Sequence, residues 1–173
     1  MSYVLLSISG HDRPGIVRDV AEAMLHLSAN IEDSSMTALR GRFAMMLIVR
    51  LPEKMGLSEL NAALADLEQR TGLIIQSQAL SEEEVAQSTP DPDCVVTVHG
   101  ADQLGIVYEV SNALAEQDIS IVDVSTQVRE GVYIMALEAH AGDKLDDLDG
   151  LLQKVADQLG VDIECHRLDQ AVL

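Results

Sequence analysis

Two glycine-bounded loops carry the residues best suited to hold a small molecule. They read Gly10-His11-Asp12-Arg13-Pro14-Gly15 and Gly100-Ala101-Asp102-Gln103-Leu104-Gly105. Each lies between an apolar run and a predicted helix, so its glycines let the backbone approach a ligand, and free N–H groups at the helix start attract a carboxylate. Asp12 or Asp102 can pair with an ammonium group. The combination favours a zwitterion such as an amino acid.

A plainer interpretation of the same loops needs no ligand. An aspartate before a helix is often its N-cap, and a glycine there often serves only the turn. Arg13 is either a clamp for a carboxylate or simply an exposed residue at the helix start. Spacing alone leaves both alternatives open.

The two loops belong to an internal repeat that covers nearly the whole chain. A shift of 90 places aligns residues 10–49 with 100–139 and gives 13 identities in 40 positions, where average usage gives roughly two or three. After a two-residue shift, the leucine, glycine and isoleucine pattern of 57–80 resumes in 145–168. The chain is therefore two copies of one module.

Within a copy, the hydrophobic period alternates between strand and helix. Residues 3–9 predict a buried strand, and a helix follows with Pro14 in its first turn. The apolar stripe of that helix is Ile16, Val17, Val20, Met24 and Leu27. Residues 30–39 and 43–51 predict a hairpin that turns at Arg40-Gly41-Arg42, which corresponds to Arg129-Glu130-Gly131 in the second copy.

A second amphipathic helix over 57–70 ends near Gly72, and residues 73–80 predict the last strand. The order βαββαβ, used twice, predicts an α+β fold of two ferredoxin-like modules, each a four-stranded antiparallel sheet with two helices on one face. We expect module 1 at 1–80, an acidic linker at 81–93 and module 2 at 94–173. The bare sheet faces should pack on each other, on a second chain, or both.

The charge argues against nucleic acid as a direct partner. The net charge is −18, residues 94–173 carry 15 acidic and 4 basic side chains, and no basic run stands out. The acidic surface serves solubility or docks a basic protein. The chain has no long apolar run and no signal-like start, so we expect a cytoplasmic protein that contacts no membrane.

Catalytic and metal chemistry find little support in the sequence. The histidines form no known nucleophile spacing with Cys94 or Cys165, so we expect no enzyme, no cofactor and no metal. Predicted neighbouring strands bring the two cysteines towards each other, with His99 and His166 nearby. A metal or redox pair there is the alternative to two inert core cysteines.

The string Asp12-Arg-Pro-Gly-Ile-Val17, with Asn30-Ile31 after the helix, resembles the ACT domain family of regulatory modules. That resemblance implies amino-acid binding where two modules meet, through the first loop and the start of the next strand. Two modules with nothing appended are similar to the glycine cleavage system transcriptional repressor group. The resemblance then implies a negative regulator that acts through a DNA-binding transcription activator, with glycine as effector. The bare sheet faces lead us to expect a homodimer.

The ligand-binding residues that the resemblance implies are His11, Asp12, Arg13, Pro14, Gly15 and Asn30, with Asp102 and Gly105 in module 2. Asn30 is also a common helix terminator. Module 2 departs from the pattern at Ala101, Gln103, Leu104 and Ser120. We therefore expect it to bind weakly or to serve only packing.

Two other functions remain open. A regulatory subunit of a metabolic enzyme would share every local feature with a transcriptional regulator. Acylphosphatases have the same fold, with an arginine in the first loop and an asparagine on a nearby strand. Their glycine-rich loop with its Phe-Arg ending is absent here, so this alternative is remote.

Overall fold

The computed structural model describes residues 2–168, and the chain divides into two compact units between Ser88 and Thr89. Unit 1 contains β1 (Ser2–His11), α1 (Ile16–His26), β2 (Asn30–Leu39), β3 (Arg42–Leu51), α2 (Leu57–Thr71), β4 (Ile74–Leu80) and the short helix α3 (Glu82–Ala86). Its antiparallel strands lie in the order β2-β3-β1-β4. The predicted βαββαβ order is confirmed for this unit.

Unit 2 repeats the arrangement. It contains β5 (Cys94–Ala101), α4 (Ile106–Ala115), β6 (Ser120–Arg129), β7 (Val132–His140), a 3₁₀ turn (Gly142–Lys144), α5 (Leu145–Leu159) and β8 (Asp162–Arg167). The antiparallel order is β6-β7-β5-β8. The chain therefore has two ferredoxin-like modules, as the repeat predicts.

Each unit has its own core between one sheet face and its two long helices. In β1, Val4, Leu6 and Ile8 are buried while their neighbours are not, which is the period-two pattern of a strand with one covered face. Helix α1 contributes Ile16, Val20 and Met24, and α2 contributes Leu60, Leu64 and Leu67. We call the sheet face away from these helices the open face.

The start of α1 differs from the prediction. Pro14 is not in the first turn, because Gly15 has the left-handed conformation (φ 85°) that ends the preceding loop, and the helix begins at Ile16. Val17, predicted on the apolar stripe, is 39% exposed. One residue along a helix turns the side chain by about 100°, which moves Val17 away from the face that Ile16 buries.

The segment predicted as a linker holds a short helix. The Ser81 hydroxyl accepts a hydrogen bond from the Glu84 N–H (3.2 Å), and the Glu84 carboxylate accepts one from the Ser81 N–H (2.8 Å). The sequence Ser-x-x-Glu is the usual signature of such a capping box, although the acidic composition of the segment predicts a linker. Within residues 2–168, no helix is both long enough and apolar enough to cross a membrane.

Candidate functional site

The loop between β1 and α1 is exposed and is anchored at one point. Residues 11–15 are all solvent-exposed. The Asp12 N–H donates to the carbonyl of Gly41 (2.9 Å), which joins the loop to the tip of the β2–β3 hairpin. The site therefore lies at the end of the sheet where β1 finishes and the hairpin turns.

No side chain within the described residues caps the start of α1. The residue at the N-cap position is Gly15, so Asp12 does not cap the helix, and the capping interpretation of Asp12 is wrong. Gly105 has the same role and a similar conformation (φ 97°) before α4, so Asp102 is not a cap either. Glycine suits this position because a left-handed φ strains any residue with a Cβ. The Ile16 N–H donates to the Arg13 carbonyl (3.4 Å), so only the later N–H groups of the first turn remain open to a ligand.

An ion-pair cluster that sequence reasoning missed lies beside this helix start. Asp19, in the first turn of α1, accepts hydrogen bonds from Arg18 (2.7 Å) and Arg13 (2.6 Å). The bonds from Arg18, then from Arg13, hold the pKa of Asp19 below its ordinary value. Arg13 is thus held by a partner, and the two guanidinium groups outnumber the one carboxylate. An acidic residue in a first helical turn was the available signal.

The fold gathers further arginines at the same end of unit 1. Arg40 and Arg42 flank the Gly41 that holds the loop, and Arg42 pairs with His11 across the strands. With Arg13 and Arg18, four of the chain's 11 basic side chains lie around this loop. No contiguous basic run exists in the sequence, so the cluster depends on strand register. Its corresponding residues in unit 2 are Gln103, Tyr108, Glu130 and Val132.

Asn30 lies at the opposite end of the sheet from the loop. It pairs with Arg50, which pairs with Tyr3 near the start of β1, whereas His11 is at the end of that strand. Eight residues of strand separate the two ends by roughly 25 Å. One unit alone therefore does not bring Asn30 to the β1–α1 loop.

The side chain of Asn30 belongs to a small network of its own. Its amide donates to the Glu32 carboxylate (2.8 Å), and the Arg50 Nε donates to the same oxygen (2.6 Å). The bond from Arg50, then that from Asn30, lowers the pKa of Glu32. Asn30 is exposed at the edge of the sheet, oriented by a charged neighbour.

The loop of unit 2 has different chemistry. The Gln103 amide donates to the Leu159 carbonyl at the end of α5 (2.6 Å), so this loop is tied to its own unit. Leu104 is fully exposed. Asp102 and Glu109 leave the loop and the first turn of α4 with two negative charges and no arginine. Asp102 and Gly105 therefore lie in a setting that is less suited to a carboxylate.

The two cysteines lie in neighbouring strands and face the core of unit 2. Val96 pairs with Cys165, two positions along the ladder from the pair of Cys94 and Arg167. Burial raises the pKa of Cys94 to about 12 and also raises that of Cys165, so both favour the protonated thiol. A protonated thiol is a poor nucleophile and a poor metal ligand. His99 lies on the open face opposite Asp162. Among residues 2–168, no three His, Cys, Asp or Glu side chains converge to hold a metal.

Comparison with known proteins agrees with the fold and the repeat. The model of the ACT domain matches residues 2–78 and 93–166. A UPF0237 protein of Methanopyrus kandleri is 43% identical over 53 residues, which are 31% of this chain and 59% of that protein. The chain thus spans little more than half the length of this relative.

Two solved structures match the chain over nearly its full length. A crystal structure of an unknown protein from Galdieria sulphuraria is 30% identical, covers 97% of this chain and 99% of its own, and has a TM-score of 0.76. A proposed glycine cleavage system transcriptional repressor is 20% identical, covers 98% of both chains, and has a TM-score of 0.77. At that identity, the second likeness shows the fold alone. Two matches to one family model, covering both modules, establish that the chain belongs to the ACT domain family.

Proposed function

We propose that this chain is a non-catalytic regulatory protein that senses a small amino acid through the β1–α1 loop of unit 1. The observation that carries the proposal is the start of α1, where no side chain caps the N–H groups that follow Ile16 and the preceding loop exposes Asp12. Backbone N–H groups favour a carboxylate, and an aspartate favours an ammonium group. A free amino acid offers both groups within a short distance.

Each loop residue has an expected part in binding. The α1 N–H groups receive the ligand carboxylate, and Arg13 and Arg18 supply positive charge beyond the single charge of Asp19. Asp12 receives the ammonium group, and His11 borders the site at the end of β1. Pro14 and Gly15 shape the backbone, since proline fixes its own φ and Gly15 has a left-handed φ of 85° that strains a residue with a Cβ.

Asn30 takes part if a second copy of the chain supplies it. Because Asn30 and the loop lie at opposite ends of one sheet, a site that contains both needs two modules in antiparallel arrangement. We therefore propose a homodimer in which the loop of one copy and Asn30 of its partner share the ligand. The ligand then favours one packing of the modules, which changes the surface shown to a protein partner.

The partner we favour is a DNA-binding transcription activator, which the chain would bind in the cytoplasm and regulate negatively. Glycine is the first effector to test. The likeness to a proposed glycine cleavage system transcriptional repressor supports this choice. The second candidate is a regulatory subunit of a metabolic enzyme, which ACT family membership favours equally. Affinity capture from source cells, followed by identification of the bound protein, distinguishes the two.

Calorimetric titration with glycine, and then with the other common amino acids, tests the sensing step. We expect binding that Asp12→Asn weakens by about tenfold or more, since a charged hydrogen bond is lost. The matched variant Asp102→Asn, at the same place in unit 2, should change it little. Two equal sites per chain, or no binding by any common amino acid, would contradict the proposal.

Loss of the loop charges provides a second test. Arg13→Gln gives unit 1 the residue that unit 2 has at this place, so it should fold normally and bind the amino acid more weakly. A steady rate of acetyl phosphate hydrolysis that depends on Arg13 would instead favour the acylphosphatase alternative.

A further inference from the structure

The open face of the unit 1 sheet has a cavity of about 350 Å³ that the loop site does not use. A cross-strand row spans all four strands at this level, in the order Thr37, Ala44, Ser9 and Ile74. Leu39 and Arg42 form the adjacent row and complete the wall. We call this cavity the Ala44 pocket.

The pocket is an open depression in the sheet surface, and the small residue at its centre leaves room for it. Ala44 lies between Ser9 and Thr37, and the next residue on the same face of β3 is the larger Met46. Leu39 and Ile74 are exposed at 65% and 62% on either side. A volume of this size is in the usual range for pockets that bind small molecules.

The lining combines apolar walls with one cation. Leu39, Ala44 and Ile74 provide the walls, and Arg42 lies at the end of the sheet next to His11. Within residues 2–168, Arg42 forms no ion pair. An exposed guanidinium beside an apolar surface favours a carboxylate with an aliphatic body.

The same place in unit 2 cannot hold such a ligand. Ile134 replaces Ala44 and fills the centre, Val132 replaces Arg42, and Asp162 replaces Ile74. Unit 2 thus provides a comparison that lacks the cavity and the cation and has an acidic residue in place of one apolar wall. The pocket is specific to unit 1.

We propose that the Ala44 pocket binds a small aliphatic monocarboxylate, with its carboxylate on Arg42 and its carbon chain against Leu39, Ala44 and Ile74. The site needs no ammonium group on the ligand and none of the residues assigned to the β1–α1 loop site. It therefore holds whether or not the loop binds an amino acid.

The test is a titration of the full chain, labelled at its Leu, Ala and Ile methyl groups, with 4-methylpentanoate followed by NMR. We expect saturable shifts at the methyl groups of Leu39, Ala44 and Ile74. Ala44→Ile, which inserts the residue of unit 2, should abolish them. Arg42→Val should weaken binding by about tenfold, while Arg129→Val, which removes an exposed arginine from unit 2, should leave it unchanged. The neutral analogue 4-methylpentanamide should bind as weakly to the wild type as the acid does to Arg42→Val.

Three results would overturn the proposal. The first is the absence of any methyl shift at millimolar 4-methylpentanoate, and the second is equal binding of the acid and the amide. The third is methyl shifts at the pocket that depend on protein concentration and not on ligand, which would place a second copy of the chain on this face. Arg42→Lys keeps the charge and should restore part of the affinity, which guards against misreading a folding defect.

Discussion

At the scale of single residues, two glycines allow close contact beside the candidate loops. A Cβ added at Gly10 would lie 2.7 Å from Cδ2 of Leu73, the far end of a flexible side chain. A Cβ added at Gly100 would lie 2.5 Å from Cγ1, 2.9 Å from Cβ and 3.3 Å from Cα of Val161. Val161 is β-branched and stiff, so the second contact has less room to adjust.

We predict that Gly100→Ala destabilises unit 2 by about 2 kcal/mol, whereas Gly10→Ala costs unit 1 less than about 1 kcal/mol, because overpacking near a backbone is harder to relieve. Urea denaturation followed by circular dichroism measures both free energies of unfolding. In a Val161→Ala background the cost of Gly100→Ala should shrink. An equal cost for the two glycine changes, or no coupling with Val161, would show that the close approach is not the cause.

Asp93 is the second residue with a defined structural part. Its carboxylate accepts hydrogen bonds from the N–H groups of Ala141 (2.8 Å) and Gly142 (2.7 Å), and its backbone bonds to Ala139 and Leu168. Burial acts to raise the pKa of Asp93, but the two N–H groups and nearby His140 outweigh it and hold the pKa below its ordinary value. The residue thus fastens the end of the linker segment to unit 2.

A group with a lowered folded pKa stabilises the protein above its unfolded pKa, and that stability is lost as pH falls through the folded pKa. We predict that Asp93→Asn destabilises unit 2 by about 1.5–3 kcal/mol at pH 7. The difference from wild type should shrink below about pH 4. Urea midpoints across pH test this. Asp91→Asn is the control, because within residues 2–168 the carboxylate of Asp91 has no hydrogen bond, and its carbonyl contacts His140. A difference that does not change with pH would rule out the carboxylate as the cause.

At the scale of elements, α5 contains a glycine that packing does not require. A Cβ added at Gly150, in the middle of this 15-residue helix, would meet no atom within 4 Å. Its backbone is helical, so an alanine side chain fits without strain. Glycine therefore leaves α5 weaker than its length allows.

We predict that Gly150→Ala stabilises unit 2 by about 0.5–1 kcal/mol, because alanine loses less backbone entropy on folding. Differential scanning calorimetry should show a higher Tm. This stabilisation is opposite in sign to the effect expected for Gly100→Ala, although both variants replace a glycine of unit 2 by alanine. A lower Tm would mean that the space beside Gly150 is needed in the folded protein.

The order and type of the elements could be predicted from sequence, since hydrophobic period depends on local residues. The site could be predicted only in part. The glycines of the loop predict where it lies. The pairing of Asp19 with Arg13 depends on side-chain geometry, and the position of the hairpin arginines near the loop depends on strand register. The separation of Asn30 from the loop follows from strand direction, because β2 runs parallel to β1 and therefore begins at the end of the sheet opposite the loop. The Ala44 pocket could not be predicted, because its lining residues are neighbours only across paired strands and are far apart in the sequence.

At the scale of the whole molecule, the two cores share no residue. The buried cluster of unit 1 runs from Val4 to Leu73, and that of unit 2 from Cys94 to Val161. Each unit has four paired strands and two helices around its own cluster. Each therefore has the features of an independently folding domain, although one of small size.

We predict that fragments 1–88 and 89–173, expressed separately, each unfold cooperatively in urea. Circular dichroism at several denaturant concentrations would show this, with the full chain as reference. A fragment without a sigmoidal transition would indicate that its core depends on the other half of the chain.

The opposite placement of Asn30 and the β1–α1 loop has a consequence for sensitivity. An effector that requires both groups can be held only by chains that have already met. Its occupancy then rises with the abundance of the protein as well as with its own level. At low protein concentration, such a sensor would bind little effector even when the effector concentration is high.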